Sequence, residues 1–164
     1  MGGASVGDHD LVKPCLEAAG CTVDFHTIAM KPGKPLLLGH RGERGAGGVR
    51  VLGLPGNPVS ALVTLALFGL PLLRALQGAT EVLPPLRQVV LGEPLQKAAG
   101  RAEFPRVRVT DEGGVRTARR SGLQASNSVG PLAAADALLY VPAEATRLEA
   151  GALVPAYFLR ELGL

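Results

Sequence analysis

Aromatic residues are scarce in this chain of 164 residues, which has no Trp and only 4% Phe and Tyr. Proteins that bind single-stranded nucleic acid stack bases on aromatic side chains, so this scarcity argues against such a function. The net charge of +3 comes from scattered Lys and Arg, and no run of like charge forms a nucleic-acid arm. We therefore expect no nucleic-acid partner.

Cysteine and export signals are scarce as well. Cys15 and Cys21 have neither the spacing of a redox motif nor that of a zinc site, and reduced thiols suit a cytoplasmic protein. Residues 1–5 lack the cationic and apolar regions of a signal peptide. The longest apolar stretch, Val59–Leu73, is interrupted by polar residues, Gly and Pro and is short for a bilayer span. We expect a cytoplasmic protein without a membrane partner.

Glycine and proline are abundant, with 22 and 13 residues, and hydrophobic residues make up 47% of the chain. This composition favours α/β structure or a small barrel over a helical bundle. Helices are predicted at Leu11–Ala19 and from Pro58 towards Leu76, where Pro71 should kink or end the second one. A strand is predicted at Thr22–Ala29. Further strands are predicted at Leu36–Leu38, Val49–Leu52, Arg87–Leu95, Ala102–Thr110, Val115–Ala118, Ala137–Val141 and Ala152–Leu159.

A glycine-rich loop precedes the first helix. Its small residues are Gly2, Gly3, Ser5 and Gly7. Their amides, together with the helix dipole, suit a phosphate group, although such a loop is also often only a turn. Asp8 and Asp10 are carboxylates in this loop and would suit Mg²⁺ that bridges to an anionic substrate. Asp10 serves equally well in this pattern as a helix cap.

Two lysines lie on a turn that prolines make rigid, Lys31-Pro32-Gly33-Lys34-Pro35. Because proline reduces the entropy lost when the ammonium groups are held in place, the turn favours anion binding over mere solvation. A second turn, Pro55-Gly56-Asn57-Pro58, precedes the long apolar helix, with Asn57 as N-cap. We expect the amides of residues 59–61 to be free for a second anion. The alternative is a capped, buried helix that binds nothing.

These segments resemble, in order and spacing, the molybdopterin molybdenumtransferase family, which includes bacterial MoeA and the E domain of gephyrin. The resemblance rests on three linked motifs: residues 2–13, the lysine turn at residues 31–35, and Gly53-Leu54-Pro55-Gly56-Asn57-Pro58-Val59-Ser60. It continues into Gly100-Arg101-x-Glu103-Phe104-x-Arg106, Gly122-x-Gln124-x-Ser126 and Ala150-Gly151-x-x-Val154.

The resemblance implies a fold and a reaction. The fold would be an incomplete molybdopterin-binding, three-layer α/β domain at residues 1–78, a linker at 79–86, and a small carboxyl-terminal β-barrel domain at 87–164. The reaction would insert molybdate into adenylylated molybdopterin with magnesium and release AMP. The family also implies a homodimer.

The resemblance assigns roles to individual residues. Asp10, Lys31 and Lys34 match catalytic positions, and Asp8 with Asp10 would bind Mg²⁺. Lys34, Pro35, Arg101 and Ser126 match an oxyanion subsite for molybdate. The remaining substrate-binding positions are Gly2, Gly3, Ser5, Gly7, Pro55, Gly56, Asn57, Pro58 and Ser60.

The chain also departs from the family. Ala4 stands where the family usually has Val, and the chain begins just after the strand that should deliver the glycine loop. We therefore expect parts of the pterin and metal sites to be missing and the chain alone not to insert molybdate. One alternative is a non-catalytic module that binds an anion or a partner. Another is a molybdopterin adenylyltransferase, but the β region after Arg87 argues against it.

Overall fold

The computed structural model describes residues 11–43, 47–125 and 129–162. The glycine loop, with the predicted residues Gly2, Gly3, Ser5, Gly7, Asp8 and Asp10, lies outside these ranges, and so does Ser126. The predicted cap by Asp10 and the predicted magnesium ligands therefore stay predictions.

A short helix and a small antiparallel sheet open the described chain. Helix α1 (Val12–Ala18) confirms the first predicted helix to within one residue at each end, and Gly20 ends it with a φ of +77°. The sheet has the order β1-β3-β4, so β3 is central. Its strands are β1 (Thr22–Phe25), β3 (Leu37–Arg41) and β4 (Val49–Gly53).

The strand predicted at Thr22–Ala29 is too long. Strand β1 ends at Phe25, and the amide of Ile28 then donates to the carbonyl of Lys34 at 2.9 Å. This bond closes a loop around the lysine turn and directs a separate two-residue strand, β2 (Met30–Lys31), away from the sheet. The alternation of apolar and polar residues could not predict this break, because the hydrogen bond between Ile28 and Lys34 joins residues on either side of the turn.

The long apolar helix forms as predicted from Pro58 to Leu76. It consists of α2 (Pro58–Thr64), a π-helical segment (Leu65–Gly69) and α3 (Leu70–Leu76). Pro71 lies at the start of α3 and does not end the helix. Proline cannot donate to the preceding turn, and the wider π-helical turn lies directly before it, where such bulges commonly absorb irregularities.

By length and composition, this 19-residue helix could cross a membrane, with a mean hydropathy of 2.0. The apolar stretch Val59–Leu73 was expected to be short for a span. A core helix passes the same test, and residues of one face, including Val59, Val63 and Ala66, lie in a hydrophobic core of the protein. In the structure 39% of the tested window is buried.

A closed barrel follows, with strand order β10-β12-β5-β9-β8. Its strands are β5 (Arg87–Leu91), β8 (Arg106–Glu112), β9 (Val115–Arg120), β10 (Ala137–Leu139) and β12 (Leu153–Phe158). The barrel confirms the predicted fold class, an α/β part followed by a small β-barrel. The short elements around it are β6 (Leu95–Gln96), β7 (Ala102–Glu103), α4 (Gly130–Ala133), β11 (Arg147–Leu148) and α5 (Leu159–Leu162).

The strand predicted at Ala102–Thr110 is two strands. Strand β7 ends at Glu103, and β8 starts at Arg106 after Phe104 and Pro105. Pro105 has no N–H to give to a sheet, so a break at this position is expected. The break allows β7 to leave the barrel and pair elsewhere.

The barrel interior is built by alternating side chains. In β12, Val154, Ala156 and Phe158 are buried while the residues between them are more exposed, as a strand with a period of two requires. These side chains belong to one core cluster with Val89, Leu91, Val107, Leu139 and others.

A second hydrophobic core lies between the two parts of the chain. It joins Met30, Val59 and Val63 from the first part to Phe104 and Leu138 from the second, and all five side chains are at most 9% exposed. The long helix is therefore packed against the barrel part of the protein. This packing positions the site described below.

Candidate functional site

A two-residue parallel ladder joins the lysine turn to the arginine segment. Met30 and Lys31 of β2 pair with Ala102 and Glu103 of β7. The amide of Ala102 donates to the carbonyl of Ala29 at 2.9 Å, and that of Phe104 donates to Lys31 at 2.8 Å. Arg101 directly precedes this ladder. Its backbone is therefore held at a fixed distance from the lysine turn, although the residues are 70 positions apart in sequence.

The lysine turn is as compact as the prolines indicate. The Lys31–Pro32 peptide bond is cis, and Gly33 has a φ of +112°. A Cβ added at Gly33 would lie 2.5 Å from the Cγ2 atom of Thr64, whose side chain is buried in α2. Only glycine fits here, because the backbone conformation and the close approach of the helix both exclude a side chain.

An open cavity of about 890 Å³ lies between the two parts of the chain. It brings together six of the predicted residues: Lys31, Lys34, Pro35, Asn57, Ser60 and Arg101. The other lining residues are Met30, Pro32, Gly33, Gln124 and Ala125. The predicted Pro55 and Gly56 lie in the turn before α2 and Pro58 is the first residue of α2, but none of the three lines the cavity.

The cations of the cavity differ in their partners. Lys31 Nζ lies 3.3 Å from Glu103 Oε1, whose side chain is only 16% exposed. The side chains of Lys34 and Arg101 make no hydrogen bond or ion pair to any residue within the described ranges. These two groups are exposed, so their charges are available to an anion in the cavity.

The start of α2 corrects one prediction. The side chain of Asn57 accepts from the amides of Val59 and Ser60 at 3.1 and 3.3 Å, and its carbonyl accepts from Ala61 at 2.8 Å. The expectation that these three amides are free for a second anion was wrong, since Asn57 occupies all of them. The cap does confirm the predicted start of the helix, and it leaves the hydroxyl of Ser60 at the cavity wall.

The loop after β9 supplies the barrel side of the cavity through Gln124 and Ala125. The Gln124 carboxamide accepts from the amide of Arg106 at 2.8 Å and donates to the carbonyl of the same residue at 3.1 Å. The Arg106 side chain donates in turn through Nη2 to the carbonyls of Leu123 and Ala125. The loop is thus tied to β8 by both the backbone and the side chain of one residue.

Arg106 is a buried cation, with 1% of its surface exposed. Burial lowers the pKa of its guanidinium from the usual value, because removal from water disfavours the charged form. Within the described ranges its Nε and Nη1 atoms have no hydrogen-bond partner. A buried charge is costly unless hydrogen bonds compensate it. Because the side chain of Arg106 bonds carbonyls of the loop before Ser126, we interpret its role as holding that loop in place.

A second cavity, of about 450 Å³, lies by the barrel and contains none of the predicted residues. Arg116 and Arg160 both lie over the ring of Phe158, at 5.5 and 5.8 Å, and Asp111 and Asp136 also line it. Two carboxylates balance the two guanidinium groups. This cavity therefore has no preference for an anion comparable to that of the first.

Two residues that shape the first cavity were not among the predicted site residues. Gln124 lines the cavity, and Glu103 lies beside it through its ion pair with Lys31. Both belong to motifs of the resemblance, but their roles depend on partners that no local pattern shows. No group of three or more His, Cys, Asp or Glu within the described ranges could hold a metal ion.

Comparison with known families accounts for both parts of the chain. Residues 1–75 match the family model described as "Probable molybdopterin binding domain", and residues 88–159 match "MoeA C-terminal region (domain IV)". The chain belongs to the MoeA family. The cavity is lined by residues of both matched regions.

Relatives of the MoeA family align with much or nearly all of the chain and are much longer. The molybdenum cofactor synthesis protein cinnamon of Drosophila melanogaster is 34% identical over 97% of the chain, which spans 26% of that protein. A molybdopterin molybdenumtransferase of Synechococcus elongatus is 43% identical over 70% of the chain, which spans 27% of it. The chain thus spans about a quarter of the length of these relatives.

A solved structure shows the same arrangement. The molybdopterin biosynthesis MoeA protein of Pyrococcus horikoshii has a TM-score of 0.70 and 28% identity, over 91% of this chain and 34% of that one. The agreement includes both the α/β part and the barrel, since a match of this coverage cannot be confined to either part.

Proposed function

We propose that the cavity is the molybdate subsite of a molybdopterin molybdenumtransferase. The reaction would insert molybdate into adenylylated molybdopterin and release AMP. One observation carries the proposal: Lys34 and Arg101, from the two parts of the chain, line one cavity with side chains that have no partner among the described residues. The names of the relatives support the same reaction.

The formal charge of the cavity suits this substrate. Lys31, Lys34 and Arg101 bring three positive charges, and Glu103 beside Lys31 removes one. The remaining two positive charges equal the charge of molybdate, a tetrahedral dianion. Charge-assisted hydrogen bonds from Lys34 and Arg101 would hold two of its oxygens.

Neutral groups complete the proposed subsite. Ser60 lines the cavity and could offer its hydroxyl. The Gln124 carboxamide is engaged with Arg106 and Gly122, so it would hold the loop in which Ser126 follows two residues later. We propose that Pro35, beside Lys34, limits the motion of the lysine turn. Fixed donors lose less entropy when the anion binds, which favours affinity.

The remaining roles stay proposals from the resemblance. Asp10, with Lys31 and Lys34, would act in catalysis, and Asp8 and Asp10 would bind Mg²⁺. The glycine loop and the turn that contains Pro55, Gly56 and Pro58 would contact the pterin substrate. Magnesium would neutralise phosphate charge when bound. Within the described residues no group of three or more His, Cys, Asp or Glu could hold it, so its ligands would come from the glycine loop.

Direct titration tests the subsite. Isothermal titration of the chain with sodium molybdate should show binding that weakens as salt rises, because the interaction is between charges. Lys34→Ala and Arg101→Ala should each lower the affinity at least about tenfold, in the range for removing a charged hydrogen bond. Arg160→Met, at the other cavity, removes one positive charge as a control and should change the molybdate affinity little. Equal affinities in all four proteins would refute the subsite.

A chimera tests the complete reaction. The segment of the Synechococcus relative that matches this chain would be replaced by the chain, and AMP release from adenylylated molybdopterin would be followed with and without molybdate. Molybdate-dependent release that falls on Lys34→Ala is expected. A folded chimera that binds molybdate but releases no AMP would instead favour the non-catalytic anion-binding module.

We also propose that the protein is a cytoplasmic homodimer. The long helix leaves Phe68, Leu73 and Leu76 exposed at 38%, 52% and 62%, an apolar face that suits a contact with a second copy. Light scattering after size exclusion should give twice the mass of the chain. A monomer at all concentrations, or a protein that fractionates with membranes, would contradict the proposal.

A further inference from the structure

Lys97 is held in an unusual way for a lysine near the surface. Its Nζ atom donates to three backbone carbonyls, those of Ala98 at 3.1 Å, Arg101 at 2.9 Å and Ala143 at 3.1 Å. An ammonium group has three donors, so all of them are used. No carboxylate within the described ranges pairs with it. The ammonium group of Lys97 therefore stabilises the backbone of a loop through hydrogen bonds and does not pair with an acidic side chain of the described residues.

The same carbonyls define the loop that carries Arg101. The amide of Gly100, which has a φ of +98°, donates to the Ala143 carbonyl at 2.9 Å, and the amide of Lys97 donates to Thr146 at 3.0 Å. Residues 97–101 thus wrap around one ammonium group. Without it, the carbonyls of Ala98 and Arg101 would lose this donor, and that of Ala143 would keep only the Gly100 amide.

As a result, hydrogen bonds hold the backbone at the Arg101 carbonyl and at the following amide. Its own carbonyl is bound by Lys97, and the amide of the next residue, Ala102, is bound by Ala29 in the first part of the chain. Its guanidinium lines the cavity and has no partner among the described residues. The freedom of the guanidinium and the rigidity of its backbone together suit a preorganised anion donor.

We propose that Lys97 is a positioning residue for the anion site, which acts by holding the Arg101 backbone so that its guanidinium reaches the cavity. The inference rests on the proposed function of the cavity. Lys97 does not line the cavity and does not touch the anion. Its effect on anion affinity must therefore pass through Arg101.

A double-mutant cycle on the full chain tests this route, with sodium molybdate as the probe. Lys97→Met should lower the affinity about tenfold, a coupling typical of residues in one hydrogen-bond network. Arg160→Met is the charge control. In an Arg101→Ala background, Lys97→Met should have almost no further effect. Additive losses would refute the inference and leave the proposed function intact. An Arg101→Ala protein with unchanged affinity would refute both.

Hydrogen exchange tests, in the absence of any anion, whether Lys97 holds the loop of residues 97–101. The Gly100 amide should exchange at least about tenfold faster in Lys97→Met, because its acceptor loop opens more often. Unchanged exchange would overturn the inference whatever the binding data show. If Lys97→Met does not fold by circular dichroism, Lys97→Gln replaces it. Glutamine keeps two N–H donors, and the same two measurements apply with smaller expected changes.

Discussion

Replacement of Gly33 by alanine should destabilise the protein through two separate effects. The first is backbone strain, because a φ of +112° is a conformation that side chains other than glycine rarely adopt. This strain costs about 1–3 kcal/mol. The second is a collision, since the new Cβ would lie 2.5 Å from Cγ2 of the buried Thr64. Overpacking of this kind costs a further 1–3 kcal/mol or so.

Together the two effects predict a loss of roughly 2–6 kcal/mol in the free energy of unfolding. For a chain of this size, each kcal/mol lowers Tm by about 2–4 °C. Thermal and urea unfolding followed by circular dichroism would measure the loss. Molybdate affinity should fall in the same variant, because the turn that carries Lys34 must shift to relieve the contact.

Two further variants separate the effects. Gly151→Ala is the control for strain alone, because Gly151 has a φ of +87° and a Cβ there meets nothing within 4 Å. Thr64→Ser removes the methyl group that collides and keeps the hydroxyl, which bonds the Ser60 carbonyl at 2.8 Å. Combined with Gly33→Ala, it should restore part of the lost stability. The reasoning fails if Gly33→Ala costs no more than Gly151→Ala, or if Thr64→Ser restores nothing.

Three other predictions concern the cap, an ion pair and the cavity charge. Asn57→Ala should lower the stability by about 1 kcal/mol in urea unfolding, and Asn57→Asp should retain most of it, since an aspartate also caps. Hydrogen bonds from the backbone and the side chain of Arg120 lower the pKa of Glu93 below the usual 4.5. The carboxylate therefore stabilises the fold fully above pH 4.5, and this stabilisation is lost as pH falls through the lowered pKa. Glu93→Gln should therefore be less stable than the parent at pH 6 but not at pH 2; a difference that persists at pH 2 would contradict this origin. Glu103→Gln should raise molybdate affinity, because it removes the negative charge beside Lys31, and weaker binding in calorimetry would show that the pair serves to position the lysine instead.

Local patterns in the sequence predicted what depends on neighbouring residues. Asn57 followed by Pro58 marked the start of the helix, and Gly20 marked the end of α1, because capping uses groups within a few positions. The lysine turn was also visible, since its prolines and glycine determine the backbone conformation. The barrel domain was expected from the resemblance, and the composition in Gly and Pro was compatible with it.

Long-range pairing was beyond these patterns. The ladder between β2 and β7 and the clamp of Lys97 on Ala143 join segments far apart in sequence, and neither leaves a periodic signal. The same limit explains the incorrect prediction for the amides of α2: the sequence identified Asn57 as the cap but not how many amides it would occupy. The strand end at Phe25 was missed for the same reason, whereas the break after Glu103 could have been predicted from Pro105.

Because of the ladder between β2 and β7, the geometry of the site does not depend on the segment that connects the two parts of the chain. Two backbone hydrogen bonds and the second core set the distance from Lys34 to Arg101, and residues 79–86 contribute to neither. Changes in the length of that connection would therefore leave the cavity in place, as long as the chain can still span the gap. We therefore expect residues 79–86 to tolerate insertions and deletions, whereas even one residue inserted between Arg101 and Ala102 should move the guanidinium away from the lysine turn.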